Sequence, residues 1–95
     1  MPMNVWNKPN CWFTCITLKG NIKPIDIIEA LEKENIESRP IWKPMHMQPF
    51  FEQYGYVGDK RVSEKIFKTG LCLPSDSKLT DEDLERVCLI IKGLW

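Results

Sequence analysis

The spacing of apolar residues divides the chain into short elements. From Cys11 to Leu18 the run CWFTCITL is β-branched and aromatic, with Trp12, Thr14, Ile16 and Leu18 on one face of a strand. The other face, Cys11, Phe13, Cys15 and Thr17, is nearly as apolar, which calls for cover on both sides. Lys19-Gly20-Asn21 reads as a turn, and Pro24 suits the first position of a helix. Pro24, Ile27, Ile28 and Leu31 then recur at helical spacing, with Glu29 and Lys33 supporting the outer face. Asn35 is placed to end that helix in the left-handed conformation, with Ile36 folding back on its last turn. Ile36 to Ile41 reads as a second strand. Pro49 opens a short helix showing Phe50, Phe51 and Tyr54 on one side, and Gly55 and Gly58 flank a flexible tip.

Further along, a helix from about Lys60 to Thr69 turns Val62, Ile66 and Phe67 inward. Gly70 stops it, with Leu71 as apolar follower. Leu71-Cys72-Leu73 is a short buried strand closed by Pro74. The last helix carries the clearest start signal: Thr80 caps, Asp83 reaches back in a capping box, and Leu79 meets Leu84 as a hydrophobic staple. Asp81 and Glu82 favour the positive end of its dipole. Leu84, Val87, Cys88 and Ile91 form its expected buried stripe, and Gly93 marks the exit. Residues 1–10, with two prolines and three asparagines, show no period and read as an irregular lead-in. The order β-α-β-(short α)-α-β-α predicts an α+β fold. It is a two-layer sandwich, with a small, mostly antiparallel sheet of about three strands and helices on one face.

Composition narrows the function classes. A chain of 95 residues, 43% hydrophobic and 11% aromatic, supports one small domain with its own core. Thirteen basic residues balance thirteen acidic ones, and neither sign forms a block, which argues against nucleic acid or an anionic membrane as partner. No apolar run is long enough to span a bilayer and no signal peptide is visible, so a cytoplasmic location is the default expectation. Cysteines 11, 15, 72 and 88 lack a C-x-x-C spacing and have a single histidine to assist them, which disfavours a metal site. On an extended strand Cys11 and Cys15 stand about 13 Å apart, too far for a disulfide. All four cysteines are expected to be small buried hydrophobes in a reducing compartment.

The chemistry concentrates in Arg39-Pro40-Ile41-Trp42-Lys43-Pro44-Met45-His46. Two prolines stiffen the backbone around Trp42, and the segment gathers a guanidinium, an indole, an ammonium and the only imidazole in the chain. One reading is a wall of a site for a charged or planar ligand, made of Arg39, Trp42, Lys43 and His46. The other is a proline-pinned connector whose Trp42 and Met45 pack into the core. There is no G-x-S-x-G, no Gly-rich phosphate loop after a strand, and no histidine beside a credible nucleophile. Ser75-Asp76-Ser77 reads as a polar turn leading into the Thr80 cap. No catalytic residue is assigned within this chain.

From Trp12 through Leu94 the sequence resembles the C-terminal small domain of the DegT-type pyridoxal-phosphate-dependent sugar aminotransferases. The resemblance is carried by Trp12-Phe13-Thr14, by the helix Ile25–Leu31, and by Asn35-Ile36-Glu37-Ser38-Arg39-Pro40. It continues through Trp42-Lys43-Pro44-Met45-His46-Met47-Gln48-Pro49, then Gly70-Leu71-Cys72-Leu73-Pro74-Ser75 and Leu79-Thr80-Asp81-Glu82-Asp83. It implies the small domain of a fold-type I aminotransferase over residues 11–95, with the large cofactor-binding domain absent. The family aminates keto sugars of nucleotide-linked precursors for bacterial surface polysaccharides and related products. On that footing the parent protein uses pyridoxal phosphate, and this domain closes over the cofactor and the nucleotide-sugar cleft. None is expected bound covalently to this chain, because no lysine here lies in the family's Schiff-base motif and Lys43 is in the wrong segment. The implied partners are the parent's large domain, a nucleotide sugar, and further copies in a homo-oligomer. The alternative reading is a stand-alone α/β binding or interaction module without catalysis.

Overall fold

The computed structural model describes residues 4–95. Within them the chain forms β1 (Thr14–Thr17), α1 (Pro24–Lys33), β2 (Arg39–Pro40), 3-10 turns at Met45–Met47 and Pro49–Tyr54, α2 (Val62–Thr69), β3 (Gly70–Leu73) and α3 (Asp81–Lys92). The last strand in sequence is the middle one in space. It pairs antiparallel with β1, Cys15 opposite Cys72 and Ile16 opposite Leu71, and antiparallel with β2, Arg39 opposite Cys72. Ser75 ties the far end of the β1 ladder, its hydroxyl accepting from Thr14 N at 2.7 Å and donating to Leu73 O. This is the small antiparallel α+β sheet that the pattern predicts.

The core lies where α1 and α3 meet the middle strand. Ile27 and Leu31 of α1, Leu71 of β3 and Val87 of α3 are sealed, with Ile16, Leu73, Ile90 and Ile91 packed around them. At about 25 cal/mol per Å² of apolar surface, such side chains each contribute roughly 1.5–3 kcal/mol on burial. The predicted starts of α1 and α3 hold. Lys23 N donates to Asp26 Oδ2 at 2.7 Å, and Asp83 N donates to Thr80 Oγ1 while Thr80 N donates to Asp83 Oδ2. Asn35 adopts φ 59°, and Ile36 N returns to Leu31 O at 2.9 Å, closing α1 as expected. Arg86 adds a tie not foreseen, donating to the carbonyl and the carboxylate of Glu34 at the end of α1.

Several expectations need correcting. β1 covers four residues rather than eight, and of them only Ile16 is even half-buried, so the strand is covered on one side. The expected strand over 36–41 shrinks to Arg39–Pro40, because this edge strand ends on a proline that has no N–H to give the ladder. α2 starts at Val62, since Arg61 stands in the left-handed region at φ 42°. Its Val62 and Ile66 are 53% and 40% exposed instead of turned inward. In α3 the buried stripe is rotated: Leu84 and Cys88 are exposed, whereas Val87, Ile90, Ile91 and Leu94 pack inward. That set again has i, i+3, i+4, i+7 spacing, aimed by α1. Of the four cysteines only Cys72 is buried. Its Sγ lies 3.5 Å from that of its cross-strand partner Cys15, and burial first, then Cys15, pushes the Cys72 thiol up to about 11.

Gly70 follows α2, yet it is extended rather than left-handed. A Cβ there would stand 2.7 Å from the Ile66 carbonyl oxygen and 2.7 Å from Ile41 Cγ1. Close approach of α2 and the segment after β2 to the middle strand is what requires glycine. The part of the irregular lead-in that falls on Met1, Pro2 and Met3 lies outside the described residues, and residues 4–13 contain no helix or strand. Among the described residues no helix is long and apolar enough to cross a membrane.

Candidate functional site

The segment from β2 to α2 is held by a few contacts rather than by a core. Pro44 is its only buried residue. Trp42 and Met45 are 64% and 57% exposed, which removes the reading that they pack into the core. The Trp42 ring instead meets Phe13 edge-on, centroids 5.5 Å apart, and Phe13 lies 4.7 Å from Trp12. The three rings form an exposed aromatic row that joins the residues before β1 to the segment after β2. Arg39 Nε donates to Glu37 Oε1 at 2.7 Å. Both side chains are more than 70% exposed, so the pair is worth at most about 1 kcal/mol. Lys43 is exposed and makes no ion pair among the described residues; its carbonyl accepts from Gln48 Nε2 at 3.2 Å.

His46 belongs to a different neighbourhood. It sits in the Met45–Met47 turn, with Nε2 2.8 Å from Glu64 Oε1 of α2. Arg61 Nη1 donates to the same carboxylate oxygen. These two partners, His46 first, hold the Glu64 carboxyl below its ordinary 4.5. The Tyr56 ring lies 4.4 Å from the imidazole, and Arg61 Cζ lies 5.4 Å from the Tyr56 centroid, within cation–π range. One side of this cluster opens into a cleft of about 500 Å³ lined by Met45, His46, Phe51, Tyr54, Gly55, Tyr56 and Val57. On another side lies a cleft of about 310 Å³ walled by Lys60, Arg61, Glu64, Lys65, Lys68 and Thr69.

Among the described residues, no hydrogen bond, ion pair or ring contact joins any two of Arg39, Trp42, Lys43 and His46. Glu64, Arg61 and Tyr56 were not anticipated. Their sequence signal is slight: a lone imidazole in need of a partner, and an acid three residues after a base. No group of three or more metal-ligating side chains occurs among the described residues.

The profile of the DegT/DnrJ/EryC1/StrS aminotransferase family matches residues 1–92, and the chain belongs to that family. EpsN of Bacillus subtilis strain 168, named as a pyridoxal phosphate-dependent aminotransferase, is 40% identical over 98 residues, covering 100% of this chain and 25% of that protein. The GDP-perosamine synthase of Caulobacter vibrioides is 36% identical over 64% of this chain and 16% of its own length. That of Vibrio cholerae is 29% identical over 100% of this chain and 28% of its own. In fold, the chain matches Spr1654 of Streptococcus pneumoniae, a structure described as a sugar aminotransferase in its PMP form. The TM-score is 0.70 at 22% identity, over 86% of this chain and 21% of that one. The chain thus spans between 16% and 28% of these relatives' lengths.

Proposed function

We propose that this chain is the small, C-terminal domain, over residues 11–95, of a cytoplasmic pyridoxal-phosphate-dependent aminotransferase. Its parent aminates a keto sugar carried on a nucleotide, for surface polysaccharide or a related product. The observation that carries this reading is the family match across residues 1–92 of a chain so much shorter than its relatives. The name of EpsN supports the cofactor and the reaction type, and the names of the two GDP-perosamine synthases support the substrate class.

The chain's own residues do not fit the cofactor as a complete site. Every lysine is exposed and no charged side chain is buried among the described residues, so this chain encloses no lysine in a pocket of its own that could hold the cofactor. When bound to the parent, pyridoxal phosphate supplies the electron sink for amino transfer. What this domain supplies is a wall. Arg39 and Lys43 offer cations to phosphate oxygens, and the weak surface pair of Arg39 with Glu37 is easily displaced by a phosphate. Trp42 offers a ring face to a planar group, and His46 hydrogen-bonds a hydroxyl or phosphate. The exposed rings of Trp12 and Phe13 pack against the parent's large domain, and the parent assembles as a homo-oligomer.

The test is transamination by the complete reading frame that contains this sequence, using a panel of nucleotide keto sugars and amino-acid donors, with products read by mass spectrometry. Formation of an amino sugar nucleotide is expected. A complete protein that binds the cofactor yet aminates only small keto acids overturns the substrate class.

A further inference from the structure

The contact between His46 and Glu64 reaches beyond anchoring a turn. The two side chains are 14% and 16% exposed, with Nε2 2.8 Å from Oε1. Glu64 titrates below its ordinary value, so near neutrality it is a carboxylate and can only accept. The proton between them therefore belongs to Nε2 of His46. Nδ1 has no hydrogen-bond partner among the described residues. It is not sealed either, because the only buried, unpartnered side-chain nitrogen or oxygen there is Ser38 Oγ. Arg61 binds the same carboxylate oxygen and compensates its charge, while Tyr56 flanks the ring at 4.4 Å.

We propose that Glu64, braced by Arg61, is a positioning residue that holds His46 by Nε2–H. Nδ1 is then the ring nitrogen presented to a ligand in the cleft lined by Met45, Phe51, Tyr54 and Tyr56. When the ring is neutral, Nδ1 accepts, which matches the O–H of a sugar. The use of this arrangement rests on the substrate-side role given to His46 above; the arrangement itself does not.

Because His46 is the only imidazole, long-range proton–nitrogen correlation spectra of the labelled chain read it without overlap. At a pH where the ring is neutral, one tautomer is expected, with a slowly exchanging proton on Nε2 and an unprotonated Nδ1. In Glu64→Ala the protected proton should vanish, and the two nitrogens should move toward the shifts of free imidazole. Glu64→Gln keeps an accepting oxygen and should retain part of the protection, which covers the case of an alanine variant that does not fold. A proton on Nδ1 in the unmodified chain, or equal Nε2–H protection in Glu64→Ala and its parent, overturns the proposal. These spectra need neither cofactor nor substrate, so they stand apart from any failure to find transamination. In the transaminase that contains the chain, Glu64→Ala and His46→Ala should each lower kcat/KM, the double variant losing no more than the worse single one. Fully additive losses would leave Glu64 a mere staple and refute the positioning role.

Discussion

The two halves of this molecule are stabilised in opposite ways. Around Leu71, apolar side chains from α1, β3 and α3 close a core, with Ile27, Leu31 and Leu71 at 0% exposure. Between β2 and α2 the chain buries only Pro44, and its shape depends on prolines, two 3-10 turns, ring contacts and the carboxylate–imidazole pair. The first region is redundant, because many contacts share the load. The second hangs on single contacts, so it is where one substitution can change a site without unfolding the domain. It also holds three of the four candidate ligand-facing residues, Trp42, Lys43 and His46, whereas Arg39 stands in β2 itself.

Five substitutions sharpen or break that contrast, taken from the largest effect down. Leu71→Ala should cost about 2–5 kcal/mol, read as a lower urea midpoint with an unchanged slope. A loss below about 1 kcal/mol would mean the core is not centred on β3. Gly70→Ala should cost roughly 1–3 kcal/mol, because the new methyl would meet the Ile66 backbone oxygen, which cannot yield as a flexible side chain could. Retained stability would show that α2 slides on β3 freely. Thr80→Ala should cost about 1 kcal/mol by removing the α3 cap.

The same cap makes a pH prediction. Hydrogen bonds from Thr80, the backbone one first, lower the Asp83 carboxyl from its ordinary 3.8. A folded value below the unfolded one contributes stability that is complete above the ordinary value and is lost as pH falls through the lowered one. Glu64 adds to this loss from 4.5 downward, through His46 first and Arg61 second. Urea midpoints should therefore fall as pH drops below about 4.5, and Asp83→Asn should flatten that decline; an identical decline in the variant contradicts it. The smallest structural effect belongs to Trp42→Ala. It should change stability by less than about 0.5 kcal/mol, since the ring is 64% exposed, while lowering transamination by the complete protein. A large loss of stability with turnover intact would make Trp42 a packing residue.

Much of the core half is written in local pattern. The Pro24 start, the Asn35 stop, the Thr80–Asp83 box and the Gly70–Leu73 strand each follow from neighbours within a few residues, where capping and periodicity act. Tertiary structure decided the rest, because it turned on which side of an element met which other. Leu84 and Cys88 fit a helical stripe as well as Ile90 and Leu94 do, and only the position of α1 chose between them. Cys15 and Cys72 are 57 residues apart and meet through strand register. His46 and Glu64 are 18 apart, joined across an irregular segment without periodicity. The sequence by itself determined the order of helices and strands and the capped ends of α1 and α3, because those choices are made over one turn. Only the packed chain could decide which carboxylate holds the one imidazole, since that contact is long-range and one ion pair leaves no repeating trace in the sequence.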